Sequence, residues 1–488
     1  MKRNEPGSVV ARTLLSCVAA LSVLGAPRPA NADPAPNKRP DILFALADDW
    51  AWPHAGVYGD KVVKTPTFDR VAKEGVLFSH AFSVTPSCTA SRAAILTGQT
   101  SHRLEESGNL WSTLQKKFEC YPDLLETAGY HVGLSGKRWG PGKFEEGGRT
   151  RNPAGPTFKD FEAFVKSVPD GKPFCFWLGH RDPHRPYVPG NGVKSGMNPA
   201  DVFVPPDLPD TPEVRSDICD YYFAVQRYDR DVGNALELLE KAGKLDNTIV
   251  IMTGDNGWPF PRGKANLYDA GTRQPLAVRW PARGKAGVTS DAFMSFQDFA
   301  PTILEAAGMK PTAAMTGRSF LDVLTTGKSG AARDRVFVER ERHANVRKGD
   351  LGYPGRAIRT REFLYVRNFQ PDRWPAGDPE LRKAVGPFGD IDGGPTKDVV
   401  LAGKDDPKLA KFFELACGKR PDEELYDLAK DPYQMNNIAG PPEYAAAKKK
   451  LRAELDQWMR DTADPRASGD DERWDRYPYY GGPPPKKP

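Results

Sequence analysis

The sequence has few cysteines, few histidines and little net charge. Six Cys in 488 residues exclude a disulfide-dense scaffold. Lys and Arg total 69 against 64 Asp and Glu, a formal charge of +5. Spread over this length it is no nucleic-acid footprint, and the longest basic run, Lys448-Lys449-Lys450, reads as a solvated helix face. No internal repeat occurs, and after residue 32 no apolar stretch is long enough to span a bilayer. The 46 Gly follow no collagen period, and 24 Phe, 16 Tyr and 10 Trp exclude a disordered chain. What remains is a globular chain of one large domain or two.

Residues 1–32 read as a signal peptide rather than as fold. Lys2, Arg3 and Arg12 precede the apolar run from Leu14 to Leu24, and Ala30-Asn31-Ala32 is a small-x-small cleavage site. Residues 33–39 are then a Pro-rich linker. The expected mature chain is exported, periplasmic or secreted, and has no membrane span. The leader takes four basic residues and Glu5 with it, so the mature balance is 65 against 63, or +2. Attraction to an anionic ligand must therefore be local.

Apolar runs alternate with helical spacing. Strands are expected at 41–47, 76–78, 131–135, 173–178 and 248–252, and helices at 67–74, 121–128 and 218–242. This βα alternation predicts an α/β fold with a mostly parallel sheet over residues 40–333. Over 334–465 the texture changes. Short strands at 335–339, 363–369 and 424–427, then a helix at 444–458, predict a smaller C-terminal α+β subdomain with an antiparallel sheet. Residues 466–488, rich in Pro, Gly and charge, are expected to lie along the surface or fray.

Polar clusters follow the ends of the expected strands: Asp48-Asp49, Lys137, His180 to His184, and Asp255-Asn256. Open α/β sheets bind ligands at that edge. Asp48, Asp49, Asp255 and Asn256 are hard oxygen donors. Converging, they suit Ca2+ or Mg2+ rather than Zn2+; singly, each would be a turn or cap residue. In Pro86-Ser87-Cys88-Thr89-Ala90-Ser91-Arg92, Ser87 stands as an N-cap and Cys88 in the first helical turn. The helix dipole favours an anion there, and Arg92 lies one turn on. The plain alternative for Cys88 is a buried thiol or a disulfide partner. Cys120, Cys175, Cys219 and Cys417 are enough for two disulfides at most.

The Cys-x-(Pro/Ala)-Ser-Arg…Leu-Thr-Gly string resembles the signature of type I sulfatases. The wider pattern is similar to the heparan N-sulfatase (sulfamidase)-like bacterial sulfatases. It runs through Gly136-Lys137, Asp182-Pro183-His184-Arg185, Gly254-Asp255-Asn256-Gly257, Asn266-Leu267-Tyr268, Glu341-Arg342-His343 and Glu424-Leu425-Tyr426-Asp427, nearly the whole mature chain. The resemblance implies an alkaline-phosphatase-like sandwich. It implies oxidation of Cys88 to formylglycine by a formylglycine-generating or sulfatase-maturating enzyme, and Ca2+ held by Asp48, Asp49, Asp255, Asn256 and residue 88. It further implies that the hydrated aldehyde attacks sulfur in line and that Arg92 stabilises it. Lys137, His184 and Lys264 would contact sulfate oxygens, with His184 protonating the leaving group. Asp182, His180, Trp139 and His343 are placed at the substrate or behind those contacts. The implied activity is removal of sulfate from a sulfated glycan, as an ester or as an N-sulfate.

Three positions depart from the pattern. Ala90 replaces the commoner Pro. Trp139 stands where many sulfatases carry a His, and cannot act as a base. Lys264 stands where sulfamidase-like sequences can carry Arg. Two alternatives stay open: a phosphonate or phosphate monoester hydrolase of the same superfamily, and a sulfated-glycan-binding protein without turnover. The glycan itself would be set by loops such as 190–206 and 349–356.

Overall fold

Seven strands form the larger sheet: β1 (Asp41–Ala47), β2 (Val76–Phe82), β3 (His131–Gly136), β4 (Phe174–Gly179), β5 (Thr248–Gly254), β6 (Arg273–Arg279) and β7 (Val288–Ser295). They belong to a computed structural model that describes residues 39–381, 385–469 and 471–482. The leader expected at 1–32 lies outside the described residues.

The strand order is β3-β4-β1-β5-β6-β2-β7. β1 is parallel to β4 and β5, β3 to β4, and β2 to β7; β6 alone runs antiparallel to both its neighbours. The central strands are apolar on both faces, because each face is covered. Ile42, Phe44 and Leu46 of β1 enter one core, and Leu43, Ala45 and Ala47 the other. β5 divides the same way, with Ile249 and Ile251 against Val250 and Met252. Helix α1 (Cys88–Thr97) closes the first core and helix α2 (Pro212–Lys241) the second. α2 starts six residues before the expected point. Its first turn is polar, and its start signal is local: Thr211 Oγ1 accepts from Val214 N, with Pro212 at the first helical position.

The chain returns from β3 and β4 through a close approach. Gly136 has φ +71°, and a Cβ there would lie 1.9 Å from the Gly179 carbonyl oxygen. Only glycine fits, and the loops bearing Lys137 and His180 therefore leave the sheet side by side.

The smaller sheet is antiparallel, in the order β11-β10-β9-β8, with β8 (Arg335–Arg340), β9 (Gly355–Thr360), β10 (Phe363–Asn368) and β11 (Glu423–Asp427). One face packs Val336, Val338, Ala357 and Leu364 against Leu267, Tyr268 and Phe293. The other is covered by helix α3 (Ala445–Asp461), whose Leu451, Leu455 and Met459 are buried one turn apart. Each contributes roughly 1.5–3 kcal/mol by leaving water.

Described residues of the C-terminal segment are anchored: Arg466 pairs with Glu341, and the fully buried Trp474 donates from Nε1 to the Glu105 carbonyl at 3.0 Å. A buried indole and a buried ion pair hold what composition alone reads as loose. And no disulfide forms among the described residues: Cys88, Cys120, Cys175, Cys219 and Cys417 are all buried free thiols. Among the described residues, no helix is long and apolar enough to cross a membrane.

Candidate active site

β3, β4, β1 and β5 are consecutive and parallel, so their C-terminal ends share one edge. Each delivers polar residues there. Asp48 and Asp49 follow β1, Asp255 and Asn256 follow β5, Lys137 follows β3, and the 180–184 loop follows β4. Backbone bonds fix the ends together: Asp255 N donates to Ala47 O at 3.1 Å, and Asp48 N to Asp182 O at 3.1 Å. Asp49 sits at φ +70°, a conformation Asp tolerates better than most residues, and its N–H donates to Asp255 Oδ1 at 3.0 Å.

Helix α1 brings Cys88 to this edge. Its N-cap residue is Ser87, as expected, but the Ser87 side chain does not cap the helix; its Oγ pairs with His343 Nδ1 at 2.9 Å. Cys88 Sγ lies 3.4 Å from Asp48 Oδ1, 4.0 Å from Asp49 Oδ1 and 3.7 Å from Lys137 Nζ. One turn on, Arg92 Nε donates to Asp255 Oδ2 at 2.8 Å, and Nη1 to the carbonyls of Lys137 and Arg138, both at 3.1 Å. Lys137 Nζ pairs with Asp48 Oδ2. Lys264 Nζ donates to Asp49 Oδ2 at 2.9 Å and to Asp392 Oδ2 at 3.3 Å. His184 Nε2 is 3.8 Å from Asp49 Oδ2, and its Nδ1 is bonded to the Arg185 carbonyl.

Burial and charge pull these groups in opposite directions. Burial alone would raise Asp48, but Lys137, His184 and Arg92 outweigh it and hold the carboxyl far below its usual range. Asp49 ends up raised, because burial beats the pull of Lys264 and His184. Burial pushes the Cys88 thiol well up, against Lys137 and Lys264. Burial would lower Lys264, yet Asp392 and Asp49 lift it well above an ordinary lysine. Lys137 is likewise raised, its burial outweighed by Asp48, so both lysines are fixed cations.

The residues fit a hard divalent cation. Ligand atoms of Asp48, Asp49, Cys88 and Asp255 all lie within 4.8 Å of one another. Asn256 Oδ1 is buried with no hydrogen-bond partner, while its Nδ2 donates to Asp49 Oδ1 at 2.7 Å. Three carboxylates face Arg92, Lys137 and Lys264, so the charges of these six groups balance. A dication would tip the cluster positive, as binding an anion requires.

The sulfatase family profile matches residues 40–148 and 153–309, and the profile described as N-sulphoglucosamine sulphohydrolase, C-terminal, matches 254–378. The chain belongs to the sulfatase family. It is 32% identical to human N-sulphoglucosamine sulphohydrolase, over 92% of this chain and 94% of that protein. It is 28% identical to an ulvan-active sulfatase of Formosa agariphila, over 86% of this chain and 75% of that one. Among solved structures, a protein in complex with D-glucosamine-2-N,6-O-disulfate superposes with a TM-score of 0.65 at 22% identity, covering 89% of this chain and 100% of that one. The phosphonate monoester hydrolase of Agrobacterium radiobacter gives 0.64 at 18% identity, covering 87% and 96%. These two share the alkaline-phosphatase-like fold.

The sulfatase brings together Asp48, Asp49, Cys88, Arg92, Lys137, His184, Asp255, Asn256 and Lys264, with His343 touching the N-cap of α1. Three residues from the sequence reading do not bring their side chains into the cluster. Asp182 is held by Arg227 in a paired contact of 2.7 and 2.6 Å. His180 turns to Asp231, 3.0 Å away. Trp139 is packed in the hydrophobic core and is 2% exposed; an indole is too large and apolar to stay at a polar edge when a core is adjacent. Asp392 joins the site unforeseen. Its carboxylate, with His184 and Asp49, forms a second cluster of ligand-type atoms within 4.8 Å.

Proposed function

We propose that this sulfatase removes sulfate from a sulfated glycan, with N-sulfated glucosamine as the group it acts on, through Ca2+ and a formylglycine made from Cys88. The observation that carries the chemistry is Cys88 Sγ at the start of a buried helix, 3.4 Å from Asp48 and 3.7 Å from Lys137 Nζ. The match to N-sulphoglucosamine sulphohydrolase over 92% of the chain supports the substrate class. Asp48, Asp49, Asp255 and Asn256 would hold the cation.

When present, the formylglycine supplies the attacking oxygen and the cation withdraws charge from the sulfuryl oxygens. The chain's own residues do the rest. Lys137 and Lys264 are fixed cations aimed at the cluster, and they offset charge on the sulfuryl oxygens without reorganising. Arg92 Nε and Nη1 lock Asp255 and the Lys137 loop in place, while its buried Nη2 has no hydrogen-bond partner and is left to face the cluster. The Arg185 carbonyl can only accept, so His184 Nδ1 carries a proton. Nε2, on the cluster side, then carries a proton only in the imidazolium, and from that form it passes the proton to the departing amine or alcohol and leaves the neutral Nδ1–H ring.

The reading includes export through the 1–32 leader and maturation by a formylglycine-generating or sulfatase-maturating enzyme. It assigns catalysis to residues 40–333, with 334–465 as the supporting C-terminal part. The test is the mass of tryptic peptide 74–92 from native-host protein, together with sulfate release from N-sulfoglucosamine and from a 6-O-sulfated monosaccharide. Formylglycine mass and release from the N-sulfated sugar are expected. An intact thiol with no release from either sugar would refute the reading, and Cys88→Ala that still turns over would refute the nucleophile.

A further inference from the structure

Beside the segment 257–271 lies a groove of about 280 Å³. It takes Trp258, Arg262, Tyr268 and Asp269 from that segment, whereas Lys264 of the same segment reaches the catalytic cluster. No residue of the cluster lines the groove.

Its walls are aromatic, with Trp52, Trp258, Tyr222, Phe203 and Tyr433. Charged groups are set among them, including Asp60, Asp207, Arg273, Arg359 and Arg361, with Gln434. Apolar walls with fixed polar groups between them are what ligand sites have. Phe203 and Tyr433 stand 61% and 38% exposed with ring centroids 6.1 Å apart. They are the two aromatic members of the five exposed large hydrophobics among the described residues. Two rings from segments 230 positions apart in the chain, held together in solvent, are unusual without a ligand to cover them. Arg361 is 57% exposed, and among the described residues its ion-pair partner is the more exposed Asp291, 2.8 Å away. Such a pair costs little to exchange for another anion.

A sulfated sugar fits this chemistry. A pyranose ring has apolar C–H faces that pack on aromatic rings, hydroxyl edges that bond to carboxylate and amide, and sulfates that pair with guanidinium. A lipid or an apolar peptide would leave the carboxylates and guanidinium groups without a purpose. Phe203 and Pro205 also come from the 190–206 region, the loop that sequence marks as setting the glycan.

We propose that this groove is a second carbohydrate site, holding a sugar unit of the glycan chain away from the unit that loses its sulfate. The proposal rests on the sulfated-glycan reading above. It is tested by calorimetry on the Cys88→Ala protein with an N-sulfated glucosamine-containing hexasaccharide, with and without Phe203→Ala/Tyr433→Ala. Both rings are exposed, so the variant folds, and a melting curve checks it. The expected result is a hexasaccharide Kd raised about tenfold, with the kcat/KM ratio of hexasaccharide over N-sulfoglucosamine falling by a similar factor in the Cys88 enzyme. Arg361→Ala weakens binding of the hexasaccharide more than of its desulfated form. Equal hexasaccharide affinity with and without the two rings, or no hexasaccharide binding at all, overturns the groove. Sulfate release that fails in every form while ring-dependent binding persists overturns the sulfatase reading and leaves the groove standing.

Discussion

Arg92 Nε donates to Asp255 Oδ2 at 2.8 Å, and this bond ties the helix that carries Cys88 to the strand end that supplies a carboxylate of the cation set. Asp255 Oδ1 meanwhile accepts from Asp49 N. Both oxygens are thus oriented from outside the cluster. Arg92→Lys keeps the charge but loses the planar fork. Calcium affinity, read by calorimetry, is expected to fall about 10–100-fold. Wild-type affinity in this variant would refute the orienting role.

Asp392 places a negative charge 3.3 Å from Lys264 Nζ, inside a site that must bind an anion. Lys264 in turn holds the Asp392 carboxyl down to about 2, against the upward push of burial. Removing the charge should free Lys264 for sulfate. Asp392→Asn is expected to tighten product inhibition by inorganic sulfate by about tenfold, or ~1.4 kcal/mol. An unchanged inhibition constant would mean that the two charges do not compete.

The fold should weaken in acid. Burial holds His54 and His343 down to about 4, with Asp60 and Asp390 pulling weakly the other way. Both folded values lie below the unfolded 6.5. Their contribution is complete above pH 6.5 and is lost as pH falls through about 4, by up to about 3 kcal/mol each. Asp229 has the opposite sign. Burial raises it to about 6, so its contribution is complete below the unfolded value of 3.8 and is lost as pH rises through 6. Two histidines outweigh one carboxyl. The melting temperature is expected to drop between pH 6.5 and 4, and His54→Phe to flatten that slope. An identical slope in the variant would falsify the assignment.

Arg356 is fully buried among three acids. It lies 2.6 Å from Asp464, 2.8 Å from Glu341 and 3.5 Å from Glu339. Arg356→Leu leaves those carboxylates facing one another, and about 3–5 kcal/mol of stability should go with it. Chemical denaturation at pH 7 gives the number, and a loss below 1 kcal/mol would show that the cluster relaxes by taking up water.

β1, β4 and β5 were legible because covered parallel strands must be apolar on both faces. β6 and β9 were not, although they are as deeply buried. RQPLAVR and GRAIRT carry arginines and a proline, which read as loop. In the fold, Arg356 meets Asp464 across 108 positions and Arg359 meets Asp269 across 90. Pro275 has no N–H to give, and its carbonyl accepts from Thr253 Oγ1 at 2.6 Å. The site shows the same limit. Asp48, Cys88 and Asp255 each stand beside a strand end or in a recognisable string, so sequence points to them. Asp392 reaches Lys264 from 128 positions away, out of a Gly-rich loop with no local signal. Partners that distant leave no periodicity.

Trp474 fills the space above Gly108, and its indole N–H reaches Glu105 across 369 positions. A Cβ on Gly108 would already lie 3.1 Å from that nitrogen. The lid over this part of the catalytic unit is therefore made late in synthesis. Until residue 474 has emerged and docked, the surface around Gly108 that Trp474 covers faces water. A nascent chain stays pliable for the same reason. A clipped tail, which would be harmless in a molecule with a loose end, should here behave as damage to the interior.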